Sequence, residues 1–272
     1  VSTQPAFSHT RVPLNIDGIS LDVAALYRDG DKLPIVFLHG FGSTKEDYAD
    51  IVRYAAFNGH PFLAYDAPGC GESTCSDLSR IDIALLVKTA RALLEHFAIQ
   101  RFHLVGHSMG GLTSLMLAHQ HPERVLSFAN IEGNIDPQDC FLSRQIHDYA
   151  DEDAEHFFDD FIERARQAPA YASALYAASL RHKVRAGAVR SIFESMVALS
   201  DHGELMSKFL ALPCPRLYMY GEQNASLTYL ASLQSQGVHL AQIQNCGHFP
   251  MYSNPSAMWE HIGHLQRRQP CE

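Results

Sequence analysis

Hydrophobic positions along the chain fall into two patterns, short mostly apolar runs and longer stripes at helical spacing. The short runs lie at 34–38 (PIVFL), 61–65 (PFLAY), 102–105 (FHLV), 125–131 (VLSFANI), 215–220 (PRLYMY) and 238–243 (VHLAQI). They are too short for helices and alternate with helical segments, so they predict buried strands. Two further runs, 11–16 (RVPLNI) and 20–27 (SLDVAALY), meet near Asp17-Gly18, which predicts an antiparallel hairpin. Between the later runs lie helical patterns at 45–57, 79–97, 110–121 and 255–267; the second places Ile81, Leu85, Leu86, Ala92, Leu93 and Phe97 on one stripe. Strands alternating with helices predict an α/β fold, a mostly parallel eight-stranded sheet with helices on both faces. Functional loops then gather at the carboxyl ends of the strands.

The strand rhythm stops between Asn134 and Pro213. Phe157, Phe158, Phe161 and Ile162 form one helical stripe in this segment, and Val189, Ile192, Phe193, Met196 and Val197 form another. The segment is too long for one crossover helix, so it reads as an inserted helical cap at 134–213, with a core domain made of 1–133 and 214–272. Phe141, Tyr149, Tyr171 and Tyr176 suggest an apolar pocket beneath it.

Composition narrows the partners. Hydrophobic residues make up 46% of the 272 residues and the formal net charge is −9, with no clustered run of Lys or Arg. That balance suits a globular domain and gives no basic field for nucleic acid or an anionic membrane. No apolar stretch is long enough to span a bilayer, and VSTQPAFSHT lacks the layout of a secretory signal. The chain starts at Val rather than Met, which leaves room for a removed leader. Cys70, Cys75, Cys140, Cys214, Cys246 and Cys271 include no C-x-x-C pair, so they read as reduced, which favours the cytoplasm. None of the sixteen histidines has paired metal spacing, and no metal is expected.

Candidate chemistry begins where the run at 102–105 breaks into Gly106-His107-Ser108-Met109-Gly110. A serine between two glycines at a strand tip suits a strand-to-helix turn so tight that flanking side chains would collide, leaving Ser108 Oγ exposed as a nucleophile. A hydroxyl needs a base, an orienting carboxylate and two N–H donors for the oxyanion. Met109 N–H, at the helix start, is one candidate donor. Phe41 N–H, in Leu38-His39-Gly40-Phe41-Gly42, is the other, because the glycines let the backbone approach a ligand. His248, in Asn245-Cys246-Gly247-His248-Phe249 after the last strand, is the candidate base, while His39 reads as structural.

Five motifs in order, HGFGS (39–43), DAPGCGES (66–73), GHSMGG (106–111), GEQN (221–224) and GHFPM (247–251), make nearly the whole chain resemble the α/β-hydrolase superfamily. The resemblance implies a Ser-acid-His triad under a helical cap, and a loop-organising rather than reacting Asp66. It also implies no cofactor and a small acyl substrate, an ester, thioester or related bond. Dehalogenases and epoxide hydrolases of that superfamily carry an aspartate where this chain has Ser108.

One departure matters. The family's common acid falls at the fourth residue of a G-E-x-D pattern, and here that residue is Asn224. A neutral amide cannot stabilise an imidazolium, and in a serine protease the analogous change lowers turnover about 10⁴-fold. Some members place the acid after the sixth strand instead, where Phe128-Ala129-Asn130-Ile131 runs into Glu132. Glu132 is therefore the expected acid, ahead of Glu222 and Asp136, and Asn224 is expected to be a bystander. The resemblance also admits cofactor-independent carbon–carbon bond hydrolases and heterocycle dioxygenases, which use the histidine as a base. A ligand-binding or receptor role is the non-enzymatic alternative, set against by the intact Ser108, His248 and glycine loops.

Overall fold

The computed structural model describes residues 6–148 and 153–267; Tyr149 and Cys271 lie outside the described residues. Among the described residues nine strands form one sheet: β1 (Ser8–Ile16), β2 (Ile19–Arg28), β3 (Ile35–Leu38), β4 (Phe62–Tyr65), β5 (Thr74–Cys75), β6 (Phe102–His107), β7 (Val125–Ile131), β8 (Arg216–Gly221) and β9 (His239–Ile243). Their order is β1-β2-β4-β3-β6-β7-β8-β9, with β5 added beside β2. The β1–β2 hairpin and the β2–β4 pair are antiparallel, and every pairing from β4 through β3 to β9 is parallel. The two-residue β5 is the strand absent from the expected eight. It is too short to leave a pattern and forms through its register with Leu21 and Asp22 of β2.

Helices α1 (Ile83–His96) and α2 (Met109–Gln120) follow, and near the C-terminus come α7 (Leu230–Ser235), α8 (Pro250–Ser253) and α9 (Pro255–Gln266). Asp82 caps α1 by accepting from Leu85 N–H at 2.7 Å, which starts the expected 79–97 helix only at Ile83 and leaves 78–80 as a 3₁₀ turn. The expected helix at 45–57 is 3₁₀ throughout, Lys45–Arg53 then Ala55–Phe57, its start pinned by Lys45 N–H donating to Asp66 Oδ1 at 2.9 Å. Adjacent residues of β3 show how both faces are covered, since successive strand side chains point to opposite sides. Phe37 stacks on Tyr48 and meets the edge of Trp259 in α9, whereas Leu38 shares a small cavity with Leu86 of α1 and Met109 of α2.

Between β7 and β8 the described chain forms helices and one isolated bridge, Val184 to Cys70: 3₁₀ turns at 137–141, 143–148 and 186–188, with α3 (Ala154–Gln167), α4 (Ser173–Lys183), α5 (Val189–His202) and α6 (Leu205–Ala211). The two expected stripes are the buried faces of α3 and α5. They close over the loop after β3: Phe41 lies 4.6 Å from Phe193 and 6.0 Å from Phe161, centroid to centroid. Tyr176 of α4 is buried rather than lining an open pocket; its hydroxyl donates to Phe41 O at 3.2 Å and its ring stacks on Phe249 at 4.4 Å. Phe141 and Tyr171 are exposed. No described helix is long and apolar enough to cross a membrane.

Candidate active site

The parallel register delivers the site. His107 pairs with Ile131 and Ile131 with Met219, and both ladders continue one residue past the strands: Ser108 N–H donates to Ile131 O at 2.9 Å, and Glu132 N–H to Met219 O at 2.9 Å. Ser108 and Glu132 therefore stand side by side at the carboxyl edge of the sheet, where open α/β sheets place their ligands.

Ser108 has φ 51° and ψ −120°, a conformation that non-glycine residues avoid and that the surroundings must enforce. The glycines around it make that possible. A Cβ at Gly106 would sit 2.4 Å from Ser114 Oγ, and one at Gly110 would sit 2.2 Å from Leu38 O. Neither position has room for alanine, which is the physical content of the G-x-S-x-G spacing. Met109 N–H heads α2, a first-turn donor with no acceptor inside its own helix. The Gly40–Ser43 turn is closed by Ser43 N–H to Gly40 O at 3.1 Å, with Gly42 at φ 77°. Positive φ at that place in a turn calls for glycine. Gly40 packs so closely that a Cβ there would lie 3.0 Å from Ser108 Cβ, so the Phe41 peptide adjoins the serine.

Glu132 also has positive φ, 50°. The turn that imposes it is built by Asn130, whose Oδ1 accepts from Gly133 N–H at 2.8 Å. Its buried carboxylate is fully engaged. Oε1 accepts from Gly221 N–H at 2.7 Å; Oε2 accepts from Asn224 Nδ2 at 2.6 Å and lies 3.1 Å from His248 Nδ1. An acceptor on that side makes Nδ1 the protonated nitrogen of His248 and leaves the Nε2 lone pair available. Asp136 instead caps the turn at 137–141 through Gln138 N–H, and Glu222 opens the turn at 222–224. Of the three carboxylates weighed, the structure brings Glu132 to the imidazole.

Three further contributors escape a reading of sequence alone. Gly221 lets the histidine loop settle on the end of β8, since a Cβ there would lie 2.2 Å from Gly247 O. His107 lies fully buried with its ring 4.9 Å from that of His248, and its Nε2 donates to His248 O at 2.8 Å. Burial, helped by the neighbouring His248, holds its pKa well below the ordinary histidine value, so it anchors the loop without adding charge. Asn224, expected to be a bystander, orients the carboxylate. Replacing it with alanine removes one hydrogen bond to a charged group, and the rate at which a fluorophosphonate labels Ser108 is expected to fall about tenfold; timed labelling of the two proteins checks this.

His39 and Asp66 have the structural places expected of them. His39 Nε2 accepts from Ala67 N–H at 2.9 Å, and Asp66 binds Lys45 N–H, Lys45 Nζ and Glu72 N–H, all at 2.8–2.9 Å. Among the described residues no group of three His, Cys, Asp or Glu is placed to hold a metal ion.

With this geometry in hand, the relatives place the chain. Residues 34–182 match the alpha/beta hydrolase fold family, and the chain belongs to it. It is 42% identical over 105 residues to the dihydrolipoyllysine-residue acetyltransferase component of an acetoin cleaving system from Pseudomonas putida, a match covering 36% of this chain. That match spans only 26% of the relative's own length. Against 2-succinyl-6-hydroxy-2,4-cyclohexadiene-1-carboxylate synthase from Klebsiella pneumoniae it is 27% identical over 238 residues, covering 82% of this chain and 90% of that one. In shape it is similar to a structure from a study of Nitrososphaera gargenis carboxylesterases, with a TM-score of 0.76, 18% identity, and coverage of 94% of this chain and 98% of that one.

Proposed function

We propose that the protein is a serine hydrolase that cleaves an ester, thioester or related acyl bond of a small substrate through an acyl-serine intermediate. The observation that carries this reading is the 3.1 Å contact of Glu132 with His248 Nδ1, beside a serine held at φ 51°. His248 Nε2 takes the proton of Ser108 Oγ as the oxygen attacks the carbonyl carbon. The carbonyl electron pair moves onto oxygen, where Phe41 and Met109 N–H receive it. Collapse expels the leaving group, which takes the proton from His248. Water, deprotonated by the same nitrogen, then attacks the acyl-serine and releases the acid and free Ser108. The nucleophile and base are both side chains, so the cycle as written calls for no cofactor. Helices between 134 and 213 act as the cap over this site.

A fluorophosphonate probe tests the proposal. It should label one residue, Ser108, and the label should be lost when the protein is unfolded beforehand; a folded protein left unlabelled would argue for a binding module. One second reading has specific support, the similarity over most of the chain to a protein that is by name a synthase. In it His248 removes a proton from carbon and Ser108 only assists. The Ser108→Ala variant separates the two.

A further inference from the structure

We infer that Phe141 selects the leaving group, and that the enzyme prefers acyl substrates whose leaving group is an aryl or similarly flat apolar alcohol or thiol. This rests on the serine-hydrolase reading above. Among the described residues three rings touch the imidazole of His248: His107 at 4.9 Å, Phe249 at 5.0 Å and Phe141 at 5.1 Å between centroids. His107 and Phe249 are buried, whereas Phe141 is 51% exposed and meets the imidazole edge-to-face at 89°. Phe141 is thus the ring that borders both the base and open space.

The chemistry says what should occupy that space. In acylation His248 returns its proton to the departing oxygen or sulfur, so the leaving group must lie against the imidazole. Beside the serine, Phe41 is packed under Phe158, Phe161 and Phe193, all essentially inaccessible. Phe141 also lines a groove of about 620 Å³, with Gln138, Arg144, Gln145 and His147. Its guanidinium is already matched: Arg144 holds Asp201 through two hydrogen bonds, at 2.6 and 2.9 Å. The groove therefore offers an aromatic face, amides and an imidazole rather than an unmatched guanidinium, which suits an apolar leaving group over an anionic one.

The test is a matched set of acetate and hexanoate esters with ethyl, phenyl and naphthyl leaving groups, assayed on wild type, Phe141→Ala and Phe141→Tyr. Phe141→Ala should lower kcat/KM for the phenyl and naphthyl esters about tenfold, the scale of one lost aromatic contact. Ethyl esters should change less than twofold. Phe141→Tyr should keep the wild-type order, and the rate of fluorophosphonate labelling of Ser108 should be the same in all three proteins. An equal loss on every ester, together with slower labelling, would mean that Phe141 merely props His248 and would overturn the inference while the hydrolase reading stands. Unchanged kinetics on every ester would overturn it as well. A wild-type protein that turns over none of the esters and resists the probe would overturn the hydrolase reading, and the inference with it.

Discussion

Replacing Ser108 with alanine is expected to lower ester turnover by about 10⁵-fold, to what the remaining oxyanion donors and binding provide. The fold should survive. Alanine removes only Oγ, the backbone contact from Ser108 N–H to Ile131 O is kept, and no side-chain cap at the start of α2 is lost. His248→Ala should cause a loss of similar size, and the double variant should be no worse than either single one, because nucleophile and base act as one unit. Initial rates on a nitrophenyl ester, with circular dichroism to confirm folding, measure all three. If the alanine variant turned over its substrate near the wild-type rate while His248→Ala did not, the serine would not be the nucleophile and the carbon-acid reading would take over.

The strands of the parallel sheet were legible because a strand covered on both faces is apolar at most positions; PIVFL is wholly so, and the polar His103 of FHLV and Ser127 of VLSFANI satisfy each other at 2.8 Å. Thr74–Cys75 had no such form, being partly exposed and held only by pairing with β2. The residues at 45–53 show a different failure. Their apolar spacing permits a helix, and the start of that helix is held by the buried Lys45, tied to Asp66 twenty-one positions away, but its 3₁₀ winding leaves no mark in the spacing. Ser108 and His248 announce themselves by glycine spacing, since the glycines are local necessities of the turns that present them. Asn224, Gly221 and His107 act through hydrogen bonds to residues 92, 89 and 141 positions distant, and no local pattern encodes such a contact. One signal was available for Glu132: an asparagine two places before it and a glycine after it are the makings of the turn that throws its φ positive.

The acid gives the sharpest test of how this site departs from the commoner arrangement. Glu132→Gln is expected to lower kcat/KM by about 10³- to 10⁴-fold, the scale seen when a triad carboxylate becomes an amide. The hydrogen bonds around Glu132 explain the size. Gly221 N–H needs an acceptor, so the amide introduced by Glu132→Gln would turn its oxygen there and its NH₂ toward Asn224 Nδ2 and His248 Nδ1, both donors in the native site. The imidazole can answer only by moving its proton to Nε2, the nitrogen that must accept from Ser108. Adding Asn224→Asp should then recover at least tenfold, because it puts a carboxylate at the family's common acid position, 2.6 Å from where Oε2 stood. Asn224→Asp alone should instead reduce activity, by setting two carboxylates against each other. Steady-state kinetics on the two singles and the double, each checked for folding, give the answer. A Glu132→Gln enzyme within tenfold of wild type would show that His248 draws its orientation from elsewhere, and a double variant no better than Glu132→Gln would show that position 224 cannot reach the imidazole.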